Sequence, residues 1–126
     1  MATSAVITII DRGLCADDCI YLYRHYDSDV PTVFKDLKKA MGFTKRGQLD
    51  CGDLAAAICR AWKPKEGGHI YIASSPDIMV DFLYTITPYT SPWKRGWDVV
   101  ASRYSSGSVL ANILIPVRPD KIRRNR

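Results

Sequence analysis

The sequence lacks the patterns that mark membrane-spanning and secreted proteins. No stretch approaches the roughly 18 to 20 consecutive apolar residues that are needed to cross a bilayer. The first apolar run, at residues 5–10, follows no basic segment of the kind that opens a secretion signal, and Asp11 and Arg12 come directly after it. We therefore expect a cytoplasmic protein that has no membrane partner.

Cysteine and histidine are too irregularly spaced to predict a metal site. The sequence has four cysteines, Cys15, Cys19, Cys51 and Cys59. They do not form the Cys-x2-Cys pairs of structural zinc sites, and a reducing cytoplasm disfavours disulfides. The two histidines also lack metal-ligand spacing. We expect four reduced thiols, no metal and no disulfide. Cys51 starts a predicted helix, whose dipole should lower the pKa of its thiol.

Motifs that bind phosphate or activate a nucleophile are missing as well. The sequence has no Walker motif, no Gly-x-Gly-x-x-Gly and no Gly-x-Ser-x-Gly, and Gly67-Gly68 precedes a predicted strand rather than a helix. We therefore predict no cofactor and no catalytic residue. Whether the chain is an enzyme stays open, and a protein without catalytic activity is favoured.

The composition is that of one globular domain with a basic end. The chain has 126 residues, of which 47% are hydrophobic and 25% charged. The formal net charge is +5, and the last eleven residues, PVRPDKIRRNR, contain five basic side chains and one acidic side chain. We predict a folded domain over residues 1–117 and a basic tail over 118–126. The tail is either a solvated end or a weak, nonspecific nucleic-acid contact.

Hydrophobic periodicity predicts two helices between two groups of strands. Strand patterns cover residues 5–10, 19–26, 69–73, 80–87, 97–104 and 109–115, with a loop at 88–92. Helix patterns cover residues 32–41 and the segment from Asp50, a predicted N-cap, to Pro64. The order ββααββββ predicts an α+β fold, with a mostly antiparallel sheet of about five to six strands and two helices on one face. The helical residues that should be buried against the sheet are Phe34, Leu37, Ile58 and Trp62.

One candidate site lies where the second predicted strand meets the first helix. Residues 23–29 read Tyr-Arg-His-Tyr-Asp-Ser-Asp and combine basic, aromatic and acidic side chains. Loops after strand ends commonly bind ligands, so Arg24, His25 and Asp27 are candidate ligand or partner contacts. In the alternative interpretation Arg24, which shares a strand face with Leu22, is partly buried and clamps the loop to the helix start.

A second candidate site is the aromatic and basic loop over residues 89–97. The side chains of this loop, Trp93, Trp97, Lys94 and Arg95, could stack on bases and pair with phosphates, as in proteins that bind single strands. Exposed Trp and Arg are also favoured at protein interfaces. In the competing interpretation Trp97 enters the core, and Lys94 and Arg95 form a polar turn.

Four stretches of the chain resemble a group of small uncharacterised proteins of phages and bacteria. Residues 23–27 with Pro31 resemble the group's Tyr-Arg-His/Gln-aromatic-Asp-Gly-Tyr-Pro motif. The other stretches are Leu-Ala-Ala at 54–56, Gly-Gly-His-Ile-Tyr at 67–71 and Leu-Tyr-Thr at 83–85. The chain departs from the group at Ser28, where the group has Gly, and it lacks the group's early Arg. The group has no known activity, so the resemblance implies a fold and a phage-like origin.

These observations favour a non-catalytic binding protein that is phage-encoded and acts on host machinery such as a CRISPR-type defence complex. Its partner would be a host protein or a protein–nucleic-acid complex. One alternative is a protein that sequesters a nucleotide or cyclic oligonucleotide through Arg24, His25 and the Trp-Lys-Arg loop. Another alternative is a small phosphodiester-cleaving enzyme with His25 as its acid or base.

Overall fold

The helices and strands follow the predicted order. The computed structural model describes residues 3–11, 19–63, 70–75 and 77–119. The strands are β1 (Ala5–Ile10), β2 (Cys19–Arg24), β3 (Ile70–Ala73), β4 (Phe82–Thr90), β5 (Arg95–Arg103) and β6 (Val109–Pro116). Two α-helices, α1 (Val30–Ala40) and α2 (Cys51–Trp62), lie between β2 and β3 in the chain, and a short 3-10 helix, Met41–Phe43, follows α1. The predicted α+β class is confirmed.

The strands form one mixed sheet in the order β3-β2-β1-β4-β5-β6. Neighbouring strands are antiparallel except for β1 and β4, which are parallel. A parallel pair needs a long connection. Here the chain forms β2, both helices and β3 before it returns as β4 beside β1. The predicted antiparallel character holds for the rest of the sheet, and the parallel pair in its centre was not predicted.

Both helices begin where a side chain satisfies backbone amides that have no partner within the helix. Oδ2 of Asp29 accepts a hydrogen bond from the amide of Thr32, and Pro31 lies in the first turn, where no backbone donor is needed. Oδ1 of Asp50 accepts a 3.0 Å hydrogen bond from the amide of Asp53, as the predicted N-cap requires.

The helices cover one face of the sheet and form a single core with it. Alternation along the strands places Ile7, Leu22 and Tyr84 on this face, where each is buried. The predicted helical residues join the same core: Leu37 and Ile58 are fully buried, Trp62 is nearly so, and Phe34 is partly buried. The predicted packing of the helical stripes is thereby confirmed.

Two strand ends differ from the prediction. β2 ends at Arg24 rather than at residue 26, because the Arg24 side chain binds the carbonyls of Tyr26 and Asp27, and Asp27 takes a φ of 52° that no strand allows. β4 runs through Pro88 to Thr90, where the sequence predicted a loop. At Pro88, β4 has passed the end of β1. Within the described ranges this part of β4 pairs with β5 alone, and a strand that is unpaired on one side tolerates proline.

Candidate functional site

Arg24 clamps the loop after β2 to both helices. Its guanidinium lies over the Trp62 ring, 4.5 Å from the ring centroid. Nε donates to the carbonyl of Tyr26 at 3.0 Å, and Nη2 donates to the carbonyl of Asp27 at 3.0 Å. Nη2 also donates to Oδ2 of Asp36 on α1 at 2.7 Å. The side chain is only 4% exposed, so the geometry supports a structural role for Arg24 rather than a ligand contact.

The loop that Arg24 holds turns at Asp27 and is buried at Ser28. Asp27 is exposed and lies in the left-handed backbone region, which Asp tolerates better than most residues. Ser28 is fully buried, and its amide donates to Oγ1 of Thr3 at 2.7 Å. Its carbonyl accepts a 2.6 Å hydrogen bond from Oη of Tyr84. Asp27 therefore lies at the surface of a turn whose backbone is held by the hydrogen bonds of the buried Ser28.

His25 lies on the side of the sheet opposite the helices. Alternation along β2 sends Tyr23 to that side, and a 2.8 Å hydrogen bond joins Oη of Tyr23 to Nδ1 of His25. The ring of His25 meets Tyr26 edge-on with centroids 4.3 Å apart, and Tyr23 lies 6.1 Å from Tyr71 on β3. The sheet thus separates the His25 ring from the guanidinium of Arg24, and the two do not converge on one ligand.

Trp93 projects from a fixed turn between β4 and β5. The indole side chain is 91% exposed, the largest exposed fraction among the exposed large hydrophobic residues of the described ranges. The amide of Ser91 donates to the carbonyl of Lys94 at 2.8 Å. Oγ of Ser91 accepts hydrogen bonds from the amides of Trp93 and Lys94. Trp97, in contrast, is buried in the core, as one interpretation of this loop predicted.

The two predicted candidate sites lie at opposite ends of the sheet. Arg24 pairs with Ala5 of β1, which pairs with Phe82 at the start of β4. Arg95 pairs with Thr90 at the other end of β4. The eight residue steps from Phe82 to Thr90 span about 26 Å at the usual rise per strand residue. A single nucleotide therefore cannot contact both segments, and the nucleotide site that combined them is not assembled.

The turn end of the sheet brings together three segments that are distant in sequence. Nη1 of Arg95 donates to the carbonyl of Gly47 at 3.1 Å, and the amide of Gly47 donates to the carbonyl of Arg118 at 2.6 Å. Nη1 of Arg118 donates in turn to the carbonyl of Thr44 at 3.1 Å. These bonds attach the start of the predicted tail to the domain. We call the basic residues of these segments the basic cluster: Lys45, Arg46, Lys94, Arg95 and Arg118.

Within the described ranges, the arginines of the basic cluster bind backbone carbonyls and form no ion pair with a carboxylate. Its three arginines each donate to a backbone carbonyl, which carries no formal charge. No carboxylate of the described ranges forms an ion pair with these arginines, since the ion pair recorded there joins Arg24 to Asp36. One acidic group touches the cluster, because Oδ2 of Asp53 accepts a hydrogen bond from the amide of Lys45.

A second basic region lies on the outer side of the helices. Apart from Lys45 and Arg46 of the basic cluster, residues 30–63 contain five basic and three acidic side chains. Lys39, Phe43, Arg60 and Lys63 line an open concavity of about 690 Å³, and the guanidinium of Arg60 lies 4.4 Å from the centroid of the Phe43 ring. A second group of basic side chains therefore lies on the helical layer, and the sequence did not predict it.

Several residues that build these regions were not predicted. Asp36 directly precedes the buried Leu37, and this position at the edge of the apolar stripe could have suggested it as the partner of Arg24. Gly47 has a φ of 71° and meets Arg118 from a distant part of the chain, for which the sequence contains no local signal.

The cysteines of the described ranges show no arrangement for chemistry. Cys19, Cys51 and Cys59 are free, and Cys15 lies outside those ranges. Burial, assisted by the nearby charges of Asp11 and Asp50, raises the pKa of the Cys51 thiol to about 11. The lowered pKa that we expected from the helix dipole is wrong, because desolvation of the thiolate outweighs it. No three His, Cys, Asp or Glu residues cluster as metal ligands within the described ranges.

Comparison with protein-family models, curated proteins and solved structures finds no match to this chain. The resemblance to phage and bacterial proteins therefore stays a prediction. Of the helices in the described ranges, none has the length and apolar character that crossing a bilayer demands.

Proposed function

We propose that this protein is a non-catalytic binding protein that attaches to host machinery, such as a defence complex, with Trp93 as its anchor. The observation that supports this proposal most strongly is the 91% exposure of Trp93 on a turn whose backbone is fixed by Ser91. Burial of the large apolar surface of an exposed tryptophan in an interface contributes favourable free energy, and Trp and Arg dominate the energetics of binding surfaces.

Rigidity of the turn favours the same role. An anchor that is already ordered loses little conformational entropy when a partner binds, so more of the contact energy appears as affinity. Tyr89, which is 44% exposed, and the exposed Arg95 flank Trp93 at the same end of the sheet. Both residue types are enriched at the energetically important positions of interfaces.

The test is affinity capture from a lysate of the native host with the tagged full-length chain. We expect Trp93→Ala to abolish capture of the specific partner, with little change in stability because the side chain is exposed. Met79→Ala is the matched control, since Met79 is also apolar and 86% exposed but lies outside the turn. Capture of the same proteins by Trp93→Ala and by the unmodified chain would overturn the proposal.

A further inference from the structure

We propose that Trp93 and the basic cluster form a binding site for single-stranded nucleic acid. The inference rests on the proposed function in one respect, because it uses Trp93 as a binding residue and names the chemistry of what it contacts. The site would engage the nucleic-acid component of a protein–nucleic-acid partner.

The first support is the aromatic group. Proteins that bind single strands without sequence preference stack bases on exposed aromatic rings, and each stacked base contributes substantially to affinity. Trp93 offers an indole that is 91% exposed, and Ser91 fixes the backbone that carries it. A base in a duplex is already stacked on its neighbours, so an indole on a turn stacks at lower cost on a base of an unpaired strand.

The second support is the charge beside that ring. The basic cluster places five cations at the turn end of the sheet, two of them directly after Trp93 in the chain. Its arginines are held by backbone carbonyls, which orient the guanidinium groups without neutralising them. Cations in this state release counterions from a phosphate backbone when they bind it, and this release drives nonspecific binding.

The third support is the course of the chain after β6. Arg118 and Pro119 lie against the loop over residues 44–47, where hydrogen bonds join them to Thr44, Arg46 and Gly47. The sequence after Pro119 adds Lys121, Arg123, Arg124 and Arg126. The basic sequence after β6 therefore begins within the basic cluster, at Arg118.

The experiment is a fluorescence anisotropy titration of the full-length chain into fluorescein-labelled oligothymidylate of about 20 nucleotides. We expect binding that weakens steeply between about 50 and 200 mM salt. The slope of log K against log salt concentration should be about −3.5 or steeper, from the five cations of the basic cluster. Lys45→Gln with Arg46→Gln should reduce the magnitude of that slope by about 1.4. Lys39→Gln with Lys63→Gln removes the same charge from the concavity on the helices and should leave the slope unchanged.

Tryptophan emission tests the stacking. Binding should quench Trp93, and Trp93→Ala should weaken binding about 5- to 100-fold with little change in the salt slope. The emission of Trp62 and Trp97, which are buried, should not respond in the Trp93→Phe variant. Three results would each overturn the inference. They are tighter binding to a duplex of the same length, equal binding to poly-L-glutamate, and a smaller salt slope in the Lys39→Gln, Lys63→Gln variant.

The lysate capture separates this inference from the proposed function. If Trp93-dependent capture survives nuclease treatment and the oligonucleotide does not bind, the proposed function stands and the nucleic-acid site is wrong. If the oligonucleotide binds as expected and no Trp93-dependent partner is captured, the nucleic-acid site stands and the attachment to host machinery is wrong.

Discussion

Nη2 of Arg24 and Oδ2 of Asp36 lie 2.7 Å apart and connect the end of β2 to the middle of α1. The Arg24 side chain is 4% exposed and the Asp36 side chain 28%, so water reaches the aspartate but is largely excluded from the arginine. Loss of the arginine would also remove the donor to the carbonyl of Asp27 and one of the two donors to the carbonyl of Tyr26, which Oγ of Ser28 also binds.

We predict that Arg24→Ala lowers the free energy of unfolding by about 2 to 4 kcal/mol, somewhat less than for a fully buried pair because Asp36 is partly solvated. A double-mutant cycle with Asp36→Ala, followed by urea denaturation, should give a coupling energy of about 1 to 3 kcal/mol. A loss below about 0.5 kcal/mol for Arg24→Ala would show that the clamp is not formed.

Tyr84 provides a second test of the same junction. Its Oη donates a 2.6 Å hydrogen bond to the buried carbonyl of Ser28. Burial raises the pKa of this phenol well above its ordinary value. Tyr84→Phe should cost about 1 to 3 kcal/mol of stability, because the carbonyl is left buried without a donor. Tyr89→Phe, at a position that is 44% exposed, should change stability by less than about 0.5 kcal/mol.

The boundary of the tail can be located by truncation. A chain that ends at residue 117 loses the carbonyl of Arg118, which binds the amide of Gly47, and the guanidinium that binds the buried Thr44. We expect it to be less stable than a chain that ends at residue 119 by about 1 to 3 kcal/mol in urea denaturation. Equal midpoints would support the boundary at 117 that the sequence predicted.

The rate at which Cys51 is alkylated should depend on pH as expected for a buried thiol with a raised pKa. Since its pKa in the folded protein is about 11, against an ordinary value of 9.0, the folded state disfavours the thiolate. At a pH of about 8, iodoacetamide should modify folded Cys51 on the order of 100-fold more slowly than the urea-unfolded chain.

The same shift has a direct consequence for alkaline stability. A thiol that stays protonated in the folded state supports folding fully below the unfolded pKa and loses that contribution as the pH rises from about 9 to 11.

Mass spectrometry of the peptide that contains Cys51 measures the rate of its alkylation by iodoacetamide. A rate at pH 8 equal to that of the unfolded chain would show that burial does not raise the pKa of the Cys51 thiol.

Local patterns were sufficient for much of the fold. The β-branched run at residues 5–10, the apolar stripe through Leu37 and Ile58, and the N-caps Asp29 and Asp50 each depend on residues within one or two turns. Their order then left few ways to cover one sheet face with two helices. The class, the element order and the burial of the helical stripes could therefore be predicted from sequence.

The candidate site depended on contacts that no local pattern contains. The sequence placed Arg24 beside His25. The pleat of β2 sends Tyr23 and Arg24 to opposite faces; His25 hydrogen-bonds to Tyr23, while the helices bury the face of Arg24. It also placed Arg95 far from Gly47 and Arg118. The register of β5 and β6 brings Arg95 to the end of β6, where the backbone of Gly47 hydrogen-bonds to both Arg95 and Arg118. Sequence alone determined which residues could form helices, strands and caps, because those choices depend on neighbours in the chain. The tertiary structure decided which charged side chains are buried and which gather at one surface, because strand pairing sets the distances between remote segments.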